Sequence, residues 1–172
     1  AMASVRHDFG LDNLQLMVPF CRSPEEGAAV KHLLNEHNVG PDSNVPLFVM
    51  VELPSNVIDA DNFIEKMELS GGSIGSNDLV QTVYAVSRDD LEGYQHPVDA
   101  RSPAVKSMIR DAVRKFTESG LEIGICGQAP SDYPDEFPKF LIDCGISSIS
   151  VTPDTEMAVR ISIAEAEANL TS

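Results

Sequence analysis

The chain has 172 residues, with 27 Asp or Glu against 12 Lys or Arg, a formal net charge of −15 and a pI near 4.4. That length suits one ordinary domain, and 42% hydrophobic content is enough to build its core, which excludes intrinsic disorder. So acidic a surface repels phosphate backbones and anionic headgroups, so no nucleic acid and no membrane is expected as the principal partner.

No apolar run approaches the ~20 residues needed to span a bilayer, and the N-terminus lacks the basic-then-apolar pattern of a signal peptide. A soluble, cytoplasmic protein is expected. Cysteine usage agrees: Cys21, Cys126 and Cys144 are odd in number and share no CxxC spacing, and they read as reduced thiols.

Strand-length apolar runs alternate with helix-period segments along the whole chain, the βα signature. The first run, Leu14 to Phe20, is nearly continuous, as in a strand covered on both faces. Ser23, Pro24 and Glu26 then supply an N-cap, an N1 proline and a capping-box glutamate. The helix they open is expected to bury Ala29, Val30, Leu33 and Leu34. Leu47 to Val51 is a second buried strand, ending at Glu52, and the next helix places Ala60, Phe63, Ile64 and Met67 on one face. A third, weaker strand falls in Gly72 to Ser76. A sharp turn through Gly75-Ser76-Asn77-Asp78 leads into an apolar segment, Leu79 to Val86. Arg88 to Arg101 reads as a long polar loop. A helix opens at Ser102-Pro103, buries Val105, Met108, Ile109, Ala112, Val113 and Phe116, and stops at Gly120. Leu121 to Cys126 is a fourth strand. An amphipathic helix carrying Phe137, Phe140, Leu141 and Cys144 follows, then a short strand at Ile149 to Val151 and a final helix from Asp154.

Five consecutive βα units form either an open doubly wound sheet or part of a (β/α)₈ barrel, and periodicity does not choose. No linker or low-complexity tract divides them, so residues 1–172 are treated as a single unit. In both architectures ligands bind at the carboxyl ends of parallel strands. Arg22, Glu52, Asn77, Asp78 and Cys126 all fall there.

Glu52 closes a very apolar strand, where a carboxylate meets either a neighbouring loop's N–H groups, an arginine or a ligand. Ser76, Asn77 and Asp78 are all helix-capping types, and capping alone explains any one of them. It does not explain two carboxylates at adjacent strand ends. Mg²⁺ takes one or two protein carboxylates and leaves its other positions to water and substrate oxygens, a demand that Glu52 and Asp78 meet. Cys126 stands between glycines at a strand end, and burial as a structural thiol is the usual fate of its type. Cys144 on a helix core face is read as structural, and Cys21 stays undecided. Arg88 is either a surface ion-pair partner or a fork for phosphate or carboxylate. None of His7, His32, His37 and His96 falls at a strand end with a partner, so no catalytic histidine is assigned.

Gly72 to Gln81, GGSIGSNDLVQ from Gly71, continuing to Ala85-Val86-Ser87-Arg88-Asp89, resembles the block FSIGTNDLTQ…AVDRD of the phosphoenolpyruvate-utilising enzymes. Met50-Val51-Glu52-Leu53-Pro54 is similar to their MxEIP strand and Met17-Val18-Pro19-Phe20 to their MxPF strand. Gly124 to Asp132, GICGQAPSD, is similar to one branch of that family in particular. Gly72 stands where the family carries Phe, and Ser87 where it carries Asp. The resemblance implies that the chain supplies strands four to eight of a TIM-type (β/α)₈ barrel, a fold analogy rather than a deduction from periodicity. It also implies Mg²⁺ held by Glu52 and Asp78, a phosphoryl group contacted by Asn77 and Arg88, and a proton exchanged between Cys126 and the methyl carbon of pyruvate. The activity implied is Mg²⁺-dependent phosphoryl transfer from a phosphohistidine to pyruvate enolate, with pyruvate or phosphoenolpyruvate and the phosphohistidine domain of a parent enzyme as partners. The competing expectations are a non-catalytic module that associates as a homodimer, and a related Mg²⁺-dependent enolate lyase.

Overall fold

The structure, a computed structural model, describes residues 1–87 and 98–170. Five short apolar or glycine-containing runs form strands: β1 (Leu16–Val18), β2 (Leu47–Val51), β3 (Gly71–Gly75), β4 (Glu122–Cys126) and β5 (Ser148–Ile149). They lie side by side in chain order, and every neighbouring pair is parallel. That order decides between the two architectures. A doubly wound sheet reverses its strand order at a switch point, whereas an unreversed order with right-handed crossovers stacks the helices on one face and winds towards a barrel.

Burial follows from this one-sided cover. The outward side chains Val49, Val51, Ile74, Ile123 and Ile125 are buried beneath helices. On the inner face Met17, Glu122 and Ser148 are exposed. The described helices are α1 (Met2–His7), α2 (Pro24–Glu36), α3 (Pro54–Ile58), α4 (Ala60–Met67), α5 (Ser76–Tyr84), α6 (Pro103–Glu118), α7 (Ala129–Asp132), α8 (Phe137–Cys144) and α9 (Glu156–Leu170), with a 3₁₀ turn at Pro41–Ser43.

Helix α6 is the centre of the core. Pro103 occupies its first turn, and Val105, Ile109, Ala112, Val113 and Phe116 recur at helical spacing, all buried. The Phe116 ring lies over Gly72: a Cβ added there would come within 2.8 Å of Cε1. The space over Gly72 is thus filled by an aromatic ring from α6.

Several expected boundaries shift. β1 spans only Leu16–Val18, β5 begins at Ser148 and ends at Ile149, and α1, α3 and α7 carry no strong periodic signal. The core face of α2 is also rotated. Gly27 sits against Met67 of α4, with no room for a Cβ, so the two helices approach closely along Pro24 and Gly27. Ala29 and Leu33 consequently face solvent, Leu33 at 53% exposure. Cys21 is buried, its thiol donating to the Ser23 carbonyl, and burial raises its pKa. It is a structural cysteine, as is half-buried Cys144, which packs against the core and is pushed up by burial as well.

Candidate functional site

The register that pairs Val51 with Ile74 and Gly75 with Cys126 brings Glu52, Gly75 and Cys126 onto one rung at the carboxyl ends of β2, β3 and β4. Two strand spacings put Glu52 and Cys126 roughly 10 Å apart at their Cα atoms. Gly75 is the gap between them. A Cβ on it would meet Glu52 Oε2 at 2.8 Å and the Met50 methyl at 3.0 Å, so only a residue without a side chain lets that carboxylate lie across β3.

Glu52 is only 2% exposed. Its Oε1 accepts the Phe20 N–H at 2.7 Å, as the bland expectation of a loop partner required. Burial holds its pKa above the ordinary range; the Phe20 N–H opposes that shift and the charge of Asp78 adds to it. A buried carboxylate that also feels the charge of a second one is a fit for a hard divalent cation, which offsets both effects. No three of His, Cys, Asp and Glu gather as a cage among the described residues. The candidate donor set is the pair, and Mg²⁺ takes as few as one or two protein carboxylates.

Asp78 lies in the first turn of α5, where the helix dipole favours negative charge. Its Oδ1 accepts from Gln81 Nε2 at 2.9 Å. The N-cap of α5 is Gly75, and no side chain caps the helix. Ser76, Asn77 and Asp78 are therefore not caps. Ser76, fully buried, instead donates its Oγ–H to the Cys126 carbonyl at 3.1 Å, tying α5 to the end of β4. Half-buried Asn77 points its side chain towards Gly127: Oδ1 is 3.4 Å from where a Cβ on that glycine would stand. Gly127 has φ +119°, and an added Cβ would overlap Ser76 Oγ.

Cys126 is half-buried, and Ser73 Oγ, one rung lower on the same face, donates to its Sγ at 3.5 Å. Four of the five expected site residues, Glu52, Asn77, Asp78 and Cys126, thus surround adjacent strand ends. The fifth, Arg88, lies outside the described residues. Arg22 is turned away and pairs with Glu26. Sequence alone gave no reason to single out Phe20, Asn56, Ser73 or Thr82. Phe20 acts through its backbone, and the others through hydrogen bonds whose partners lie 30 or more positions away. A cleft of about 360 Å³ lies one layer below this mouth, between Met17, Phe48, Ser73, Gly124 and Ser148. It is the uncovered inner face of the sheet, which a closed barrel fills with side chains, and the candidate site lies above it.

A one-sided parallel sheet with two acids and a thiol at its carboxyl edge defines part of an α/β barrel with its ligand mouth. Residues 1–168 match the family model described as PEP-utilising enzyme, PEP-binding domain, and the chain belongs to that family. It forms the C-terminal part of the family's TIM-type barrel. Among curated relatives it is 42% identical over 171 residues to phosphoenolpyruvate synthase of Aquifex aeolicus, covering 99% of this chain and 20% of that protein. It is 45% identical over 168 residues to the same enzyme of Synechocystis, covering 97% and 20%. It is 37% identical over 166 residues to that of Escherichia coli, covering 96% and 20%. The chain therefore spans about a fifth of the length of these relatives. Among solved structures, the citrate lyase beta subunit of M. tuberculosis, complexed with oxaloacetate and magnesium, superposes with TM-score 0.60 at 12% identity, over 87% of this chain and 60% of that one. An HpcH/HpaI aldolase/citrate lyase family protein from Burkholderia cenocepacia gives 0.58 at 17%, over 92% and 65%. At such identities the likeness concerns the fold.

Proposed function

We propose that this chain is the C-terminal catalytic portion of a phosphoenolpyruvate synthase, a pyruvate, water dikinase, with residues 1–172 acting as one unit. The observation that carries the proposal is the shared rung of Glu52 and Cys126 across Gly75, with the charge of Asp78 acting on Glu52. Cys126 Sγ, as thiolate, takes a methyl proton from pyruvate; the C–H electron pair becomes the enolate. The enolate oxygen then forms the O–P bond as the P–N bond of the phosphohistidine breaks. Mg²⁺ held by Glu52 and Asp78 would supply the positive charge that the developing enolate oxygen and the phosphoryl group both require. Asn77 presents its amide to the phosphoryl group at the same mouth, and Arg88 is proposed for the same anion. Pyruvate or phosphoenolpyruvate and the phosphohistidine domain of the parent enzyme are the proposed partners, and the cytoplasm the proposed location. Without that domain the isolated chain is not expected to turn over.

In the parent enzyme, Cys126→Ala is expected to slow exchange of pyruvate methyl protons with solvent by about 100-fold or more. Phosphorylation of the remote histidine by ATP should stay within about twofold. Equal loss of both refutes the role of Cys126.

A second function has one observation in its favour. β1 and β5 each lack a neighbour on one side among the described residues, and the inner face is exposed, an arrangement that favours association with a further chain or segment. Light scattering with and without Mn²⁺ and oxalate separates the two. A monomer that binds both supports the catalytic half-site, whereas a homodimer indifferent to both supports an association module. The enolate lyase alternative has only fold likeness behind it.

A further inference from the structure

Asn56 in α3 is 1% exposed, yet its amide is engaged on both sides. Oδ1 accepts the N–H groups of Leu53 at 3.0 Å and Glu52 at 3.3 Å, and Nδ2 donates to the Cys21 carbonyl at 2.7 Å. The residue before Cys21 is Phe20, whose N–H donates to Glu52 Oε1 at 2.7 Å. These contacts close a ring: Asn56 to Cys21, along the chain to Phe20, across to the Glu52 carboxylate and back through the Glu52 N–H.

Local capping accounts for only half of it. Accepting from residues three and four positions earlier is what the start of a short helix needs. Donation to a carbonyl 35 positions upstream serves no cap. It acts on the peptide that follows Cys21, one residue beyond Phe20, and Phe20 has φ +48°, a left-handed conformation that a non-glycine residue keeps only where its surroundings fix it.

We propose that Asn56 is a positioning residue. It staples the loop after β1 to the end of β2, so that the Phe20 N–H occupies Oε1 of Glu52 and leaves Oε2, over Gly75, for a divalent cation. The inference rests on the proposed role of Glu52 as a metal ligand. Ligating carboxylates are commonly aimed in this way by hydrogen-bonded neighbours, whose loss typically costs 10–100-fold in metal affinity.

The test uses the whole chain, with Mn²⁺ as the probe and the Phe20 amide proton followed by NMR without metal. Asn56→Ala removes every contact; Asn56→Ser keeps a short acceptor for the local cap but does not reach Cys21, and remains informative if the alanine variant fails to fold. Both are expected to shift the Phe20 amide proton towards the value of a solvent-exposed amide and to weaken Mn²⁺ binding about tenfold. Val113→Ala, a cavity in α6, should lower stability and leave both readouts unchanged. The staple is overturned if a folded Asn56→Ser variant keeps the wild-type Phe20 resonance, or if Val113→Ala produces the same pair of changes. Glu52→Gln separates this from the underlying assignment: unchanged Mn²⁺ affinity in that variant removes the metal role, while the Phe20 resonance in metal-free Asn56→Ser still decides the staple.

Discussion

Two glycines at the mouth are constrained differently, and their alanine variants should fail differently. Gly75 has an ordinary backbone at φ −83°, and two of the three atoms an alanine would meet, Glu52 Oε2 and the Met50 methyl, are the ends of flexible side chains, the third being Glu52 Cβ at 3.1 Å. Gly75→Ala is expected to cost about 1 kcal/mol of stability, the low end of overpacking because two of the three neighbours can swing aside, yet to displace Glu52 and weaken Mn²⁺ binding about tenfold. Gly127 is confined both by φ +119° and by the overlap of any Cβ with Ser76 Oγ. Gly127→Ala should therefore lose about 1–3 kcal/mol, read as a lower urea midpoint. Equal stability of the two variants would contradict this account. Glu52 also sets a pH dependence. Because its pKa is raised on folding, chiefly by burial, the native state holds this proton to higher pH than the unfolded chain. Its contribution is then fully present below about 4.3, the unfolded value, and is lost as pH rises through the folded value. Glu52→Gln should flatten that fall in metal-free protein. Parallel wild-type and variant curves of urea midpoint against pH would count against it.

At the scale of elements, α6 and β3 are a matched pair, with the Phe116 ring filling the space over Gly72. Phe116→Ala should cost about 3–5 kcal/mol in chemical denaturation, because the ring is fully buried and glycine leaves nothing behind it to fill the void. A loss below about 1 kcal/mol would mean that the pairing is loose. The same pair shows what the sequence makes legible. Helix α6 was readable because its apolar residues recur at helical spacing between Pro103 and Gly120, and β2 and β4 because continuous apolar runs are what buried parallel strands require. The face of α2 was not readable: Leu33 is a better core residue than Gly27 by hydrophobicity, and only the close approach to Met67 reverses their places. Strand ends were legible as the place where candidate site residues gather, hence Glu52, Asp78 and Cys126. Their supports, the Phe20 N–H, Asn56 and Ser76, depend on contacts between distant segments that no local pattern encodes.

For the whole molecule, the unreversed strand order makes the sheet a section of a barrel wall, with helices outside and an uncovered inner face. A net charge of −15 surrounds a site proposed for anionic ligands, so cationic charge at the mouth is an electrostatic requirement as well as a chemical one. The central claim is that Glu52 and Asp78 act together on one divalent cation. A double-mutant cycle on Mn²⁺ affinity tests it most directly, with Glu52→Gln, Asp78→Asn and both together measured by calorimetry. Each single change should weaken binding at least tenfold and the double change little more than either alone, since loss of one ligand already dismantles the shared site. Strictly additive losses, or affinities unchanged from wild type, would contradict it.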